Sequence, residues 1–120
     1  MLQDFKDLHV WREAKTLALL IYKATESFPK HELFSLTNQM RRAAVSIPSN
    51  IAEGTGRKTN KEKAQFSYIS RGSLFELETQ TVIAFELTYL SKDDFDKISE
   101  QVVKCRQLIN GYINYFEKNA

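Results

Sequence analysis

Residues 39–57 read QMRRAAVSIPSNIAEGTGR, and how this stretch is read decides the fold. Taken with the residues just before it, it carries Leu33, Leu36, Met40, Ala43, Ile47, Asn50 and Gly54 at spacings of three and four. That spacing puts them on one face of a helix. Pro48 falls in the middle. A proline there removes the hydrogen bond to the Ala44 carbonyl and crowds that carbonyl. The stripe keeps phase across Pro48, which predicts one helix of about 33–56, kinked near Pro48. The competing reading is a break near Ser46. The start lies between residues 30 and 37, and Gly54 and Gly56 supply the stop.

Three more helices follow from the flanking sequence. Upstream, Trp11, Ala14, Ala18, Ile21, Thr25 and Phe28 form a stripe widened by Leu17 and Tyr22. Pro29 ends it, because proline disfavours helical geometry in the residue before it. This predicts a helix of about 9–28, preceded by an arm whose Phe5 and Leu8 tuck onto the core. Downstream, TNKE at 59–62 reads as a capping box opening a helix of about 60–89. Its apolar face is expected at Phe66, Ile69, Ser73, Leu77, Gln80, Ala84 and Leu87. Leu74, Phe75, Val82 and Phe85 fall off that stripe, so this helix is too apolar to have only one buried side. Ser70, Gly72 and Ser73 give it small residues where another backbone can come close. SKDD at 91–94 opens the last helix, about 92–117, with acids where the helix dipole favours them. There Phe95, Ile98, Val102, Cys105, Ile109, Tyr112 and Phe116 repeat without interruption.

Four helices with short joints must alternate in direction, so the expected fold is all-α, an antiparallel up-and-down four-helix bundle. The 120 residues make one domain, 1–120. Four glycines and two prolines leave little turn material for strands. A single cysteine excludes an internal disulfide and suits a reducing compartment. With no signal-like run at the N-terminus and no long apolar span, the expected location is cytoplasmic, with no membrane partner.

The residues offer little for catalysis. Di-iron bundles need Glu-x-x-His pairs, but Lys6 and Phe28 stand three residues before His9 and His31, so no metal site is expected. Cys105 sits on a core stripe, where a cysteine is a small inert hydrophobe. Gly54-Thr55-Gly56-Arg57 faintly resembles a phosphate-binding turn, but no Walker lysine follows. No cofactor motif is present, and no enzyme activity is expected. Ser46, Asn50 and Glu53 have two readings. In one they form a hydrogen-bonded network that satisfies the carbonyl freed by Pro48 and fixes register. In the other Asn50 and Glu53 contact a ligand.

Charge is more informative. The net charge is only +2, but residues 39–63 hold six cations against two carboxylates. Residues 64–100 hold three against seven. Arg41, Arg42, Arg57, Lys58, Lys61, Lys63 and Arg71 are therefore the candidate contacts for RNA or DNA phosphates, which cations neutralise without reading sequence. The plainer reading is a solvated face, and an acidic part of another copy is a third possible partner.

These residues also carry a resemblance. DLHVWREA at 7–14, IYKATESFP at 21–29, LTNQMRRAAVSIPSNIAEGTGR at 36–57 and FSYISRGSLFELETQ at 66–80 resemble the four-helix-bundle proteins encoded by intervening sequences within bacterial 23S ribosomal RNA genes. The resemblance implies a left-handed bundle assembled as a homopentameric ring with a central channel. That family is similar to the accessory protein of diversity-generating retroelements, a basic pentamer that binds nucleic acid and partners a reverse transcriptase. The implied partners are thus other copies of the chain, RNA or DNA, and a reverse transcriptase where one is encoded nearby. No catalytic residue carries over. The alternative is an adaptor that binds only protein.

Overall fold

A computed structural model describes residues 4–120, so Met1–Gln3 of the expected arm lie outside the described residues. Four helices make up the fold: α1 (His9–Thr25), α2 (Leu36–Thr55), α3 (Asn60–Glu86) and α4 (Lys92–Lys118). Among the described residues there is no strand. Each helix packs on its neighbours in sequence, and α1 closes on α4. Paired contacts run in opposite directions along α2 and α3, as Ser46 meets Ser73 while the Ile47 carbonyl meets Ser70. The same holds for α3 and α4, where Tyr68 meets Glu117 and Arg106 reaches Glu78. The bundle is therefore antiparallel throughout its seams.

The Pro48 question is settled: α2 runs without interruption from Leu36 to Thr55 with Pro48 buried inside it. There is no break near Ser46. The start differs from expectation. Lys30–Glu32 form one turn of 3-10 helix, and Leu33 and Phe34 lie in a turn, 47% and 91% exposed. The helix waits for Leu36 because Glu32 caps it from outside. Its carboxylate accepts from the Ser35 hydroxyl at 2.9 Å and the Leu36 amide at 3.4 Å, where a negative group suits the helix dipole. The Tyr89 hydroxyl donates to the same carboxylate at 2.9 Å. These bonds, Tyr89's foremost, hold the Glu32 carboxyl below the usual range.

The other ends also shift. α1 stops at Thr25, three residues early, yet Phe28 is still buried and leans on Tyr89 with ring centroids 5.4 Å apart. α3 stops at Glu86 rather than 89. Thr88 takes a left-handed φ of 66°, the Tyr89 amide donates to the Ala84 carbonyl, and the Thr88 amide donates to Phe85. This is a Schellman closure, normally built on glycine. At the α3 start the Thr59 hydroxyl accepts from the Glu62 amide at 3.1 Å, and Ser91 does the same for Asp94 in α4.

The largest correction concerns α3. The inward face is Ala64, Ser67, Ser70, Leu74, Leu77, Gln80, Thr81 and Ala84, so Leu77, Gln80 and Ala84 of the expected stripe are buried. Of the expected stripe, Ile69 and Leu87 point to solvent, 51% and 48% exposed. Phe75, Val82 and Ile83 are exposed with them. The cause is the close approach of α2. Gly54 presents bare backbone to Phe66, and a Cβ there would sit 3.0 Å from the Phe66 Cβ. Ser70 is wholly buried and donates to the Ile47 carbonyl at 2.9 Å. Large side chains do not fit such a seam, so small and hydroxylic ones take it. Elsewhere the core is ordinary: Leu17, Ile21, Met40, Ile47, Ile51, Leu74, Leu77, Ile98, Val102, Cys105 and Ile109 are fully buried or nearly so. Each large one contributes about 1.5–3 kcal/mol. Gln101 ties α4 to α1 by donating to the Glu13 carbonyl and carboxylate at 2.9 and 3.0 Å.

Two glycines test the seam. Gly54→Ala is expected to cost about 1–3 kcal/mol by overpacking against Phe66. Gly72→Ala, whose added Cβ meets nothing within 4 Å, is expected to gain about 0.5–1 kcal/mol from helix propensity alone. Urea unfolding of both measures the difference, and equal effects contradict the close seam. Thr88→Gly is expected to stabilise by about 1 kcal/mol, since a non-glycine residue pays about 1–2 kcal/mol in this conformation; thermal unfolding of that variant measures the gain.

Candidate nucleic-acid interface

The seven candidate cations fall into three places rather than one patch. Arg57, Lys58, Lys61 and Lys63 gather at the joint between α2 and α3. Arg41 and Arg42 lie far from it, since sixteen residues of α2 axis amount to roughly 24 Å. Adjacent on the chain, they line one depression with Tyr22, Asn38, Val45 and Ser46, Arg41 leaning toward α1 and Arg42 toward α3. Arg71 sits on the flank of α3 that meets α4.

How each cation is held decides what it offers. Arg71 is engaged: its Nη1 donates to Asn110 Oδ1 at 3.0 Å, and its guanidinium lies 4.8 Å from the Tyr68 ring centroid. Arg41 is half engaged, donating through Nε to Thr25 Oγ1 at 2.9 Å over the Tyr22 ring at 4.9 Å. Arg57 stacks on Phe66 at 4.6 Å and pairs loosely with Glu53 at 3.5 Å. Arg42 is exposed and lines a depression of about 580 Å³ with Gln39, Glu76, Thr79 and Gln80. Lys58, Lys61 and Lys63 have no carboxylate partner among the described residues.

The joint is electrostatically unusual. Lys61 and Lys63 occupy the first turn of α3, where the positive end of the helix dipole favours acids. Only Glu62 meets that preference. Helix stability does not explain two lysines there. Asn60 adds a link to the chain's end, donating from Nδ2 to the Asn119 carbonyl at 2.9 Å.

The expected polar network is rearranged. Ser46 Oγ and Ser73 Oγ are 2.8 Å apart, and Asn50 Nδ2 donates to the Ser46 carbonyl at 2.8 Å and to its Oγ at 2.9 Å. No side chain among them reaches the Ala44 carbonyl; the carbonyls taken are those of Ser46 and, from Ser70, Ile47. Asn50 stands one turn beyond Ser46, which sets the partner by geometry. Glu53 is exposed and pairs with its helical neighbour Arg57 instead. The network therefore stitches α2 to α3, and of its members Ser46 borders the depression that Arg41 and Arg42 line.

Nucleophilic and metal chemistry find no support in the geometry. The Cys105 thiol is pushed up to about 12, chiefly by burial and next by the nearby Glu13 charge, so it stays protonated and unreactive. Among the described residues no group of three or more His, Cys, Asp and Glu side chains converges as metal ligands. No helix there is long and apolar enough to cross a membrane.

Sequence reading missed a second surface. On the α1–α2 side, Trp11, Tyr22 and Leu19 line an apolar groove of about 480 Å³ with Val45 and Pro48. Lys15 stands 5.4 Å from the Trp11 ring centroid. The signal was present as an aromatic residue and a lysine four apart, but it was absorbed into the core stripe. Comparison with known proteins agrees with the fold and the motifs. No curated protein matches the chain. The model of the 23S rRNA-intervening sequence protein family matches residues 6–111, which takes in all of α1, α2 and α3 and most of α4, and the chain belongs to that family.

Proposed function

We propose that the chain is a non-enzymatic, self-assembling helical bundle that holds nucleic-acid phosphates at its α2–α3 joint. The observation that carries this reading is the set of Lys58, Lys61 and Lys63, unpaired and placed against the helix dipole. Arg57 adds a fourth charge, and Arg42 a separate one on the body of α2. Each such contact is worth little alone, so affinity comes from counterion release summed over several contacts. Assembly multiplies the contacts, because linked sites bind a polyanion jointly. The ring of five implied by the family resemblance presents five joints. Nothing in the arrangement reads bases, so binding is expected to be indifferent to sequence. Cys105, buried and reduced, suits a cytoplasmic setting.

The adaptor reading also has one observation in its favour, the outward apolar face of α3. The two readings separate on salt. Fluorescence anisotropy with a labelled single-stranded RNA of about twenty nucleotides is expected to show affinity falling steeply between about 50 and 200 mM salt. Replacing Lys58, Lys61 and Lys63 together by Gln is expected to reduce the slope of log affinity against log salt by about 2. Arg71→Ala is expected to leave affinity within about twofold, since that guanidinium is already committed to Asn110. Binding that ignores both salt and the triple substitution contradicts the phosphate reading and leaves the adaptor.

A further inference from the structure

Two unlike apolar surfaces remain on the outside of the bundle. One is the groove between α1 and α2, lined by Trp11, Lys15, Leu19, Tyr22, Val45 and Pro48. The other is the outward face of α3, carrying Ile69, Phe75, Val82, Ile83 and Leu87 around Gly72. We infer that they are halves of one contact: the outward face of α3 in one copy seats in the α1–α2 groove of the next. This rests on the self-assembly proposed above and says which surfaces make it.

Charge selects this pairing. Lys15 and Arg41 stand at the groove over the Trp11 and Tyr22 rings, and neither has a carboxylate partner among the described residues. The α3 face carries Glu76 and Glu86, which likewise have no cation partner there. Opposite unpaired charges therefore border the two surfaces. Pairing the α3 face with itself would line up Glu76 and Glu86 with their own copies, and pairing the groove with itself would oppose its cations. Like charges disfavour both.

Shape agrees. From Ile69 to Leu87 the face runs about 27 Å, and from Trp11 to Tyr22 the groove runs about 17 Å, so the helix covers the groove end to end. Gly72 lies exposed one turn from the Ile69 end of the face, where its own chain makes no demand for glycine: a Cβ there meets nothing within 4 Å. A second copy does make that demand, since Leu19, 62% exposed, projects from the groove. The contact joins different patches on the two copies, so it propagates from copy to copy until it closes.

Sedimentation velocity of the full chain at micromolar concentration tests this, with Leu19→Glu as the groove variant and Ile83→Glu as the face variant. Ile83 is 46% exposed, so neither change enters the core. The wild type is expected to assemble and each variant alone to sediment as a single chain. Mixed in equal amounts, the variants are expected to form a one-to-one pair. One intact groove meets one intact face, and the remaining contact has glutamate on both sides. If Leu19→Glu or Ile83→Glu alone keeps the wild-type mass, or the mixture stays monomeric, the pairing is wrong while assembly stands. A monomeric wild type overturns assembly itself. Gly72→Leu repeats the face test without a new charge. Loss of assembly with the helical signal retained is expected, and retained assembly contradicts the inference.

Discussion

The close seam between α2 and α3 is the constraint on which the rest of this structure depends. Gly54 lets the helices approach at one end, and Ser70 and the Ser46–Ser73 pair bind them along the middle. Hydroxyls are suited to this place. They are small, and those of Ser46, Ser70 and Ser73 each have a partner, so along the middle the seam avoids the cost of about 1–3 kcal/mol that an unpaired buried polar group carries. Proline 48 is tolerated inside α2 because tertiary packing, not local propensity, holds the helix there.

A seam built from small residues has a consequence on the opposite side of α3. The helix points Leu74 and Leu77 inward, but Ile69, Phe75, Val82, Ile83 and Leu87 line its solvent face, an apolar surface of the kind that marks contact sites. The same molecule carries unpaired cations at the joint and on the α1–α2 side. Its surface is thus divided into regions of distinct chemistry. Belonging to the 23S rRNA-intervening sequence protein family accords with the fold and leaves the contacts to be established.

Much of the fold was legible in the sequence because three helices follow periodicity. Ile98, Val102, Cys105, Ile109 and Phe116 of the α4 stripe are buried as read, while Tyr112 is half-buried and Ile113 takes the core place beside it, and the caps at Thr59 and Ser91 form where expected. Helix ends were less legible: Thr88 in a left-handed conformation gives no glycine signal, and Glu32 caps α2 from outside it. The inward face of α3 was misread because large apolar residues were taken as the core. Here packing distance, set by a glycine on another helix, outweighed hydrophobicity. The candidate site was legible as a composition of charge but not as a place. That Arg71 is committed to Asn110, or Arg41 to Thr25 and Tyr22, depends on neighbours that no local pattern announces.

The central claim is that Ile69, Val82, Ile83 and Leu87 of α3 serve the outside of the bundle and not its core, which Leu74 and Leu77 fill from the same helix. Replacing Ile69, Val82, Ile83 and Leu87 together by Gln, and following unfolding by circular dichroism alongside the sedimenting mass, tests it most directly. The account predicts a fully helical single chain that still unfolds in one cooperative transition. Loss of that cooperative transition, with the helical signal collapsing or melting gradually, would place these side chains in the core and contradict the account.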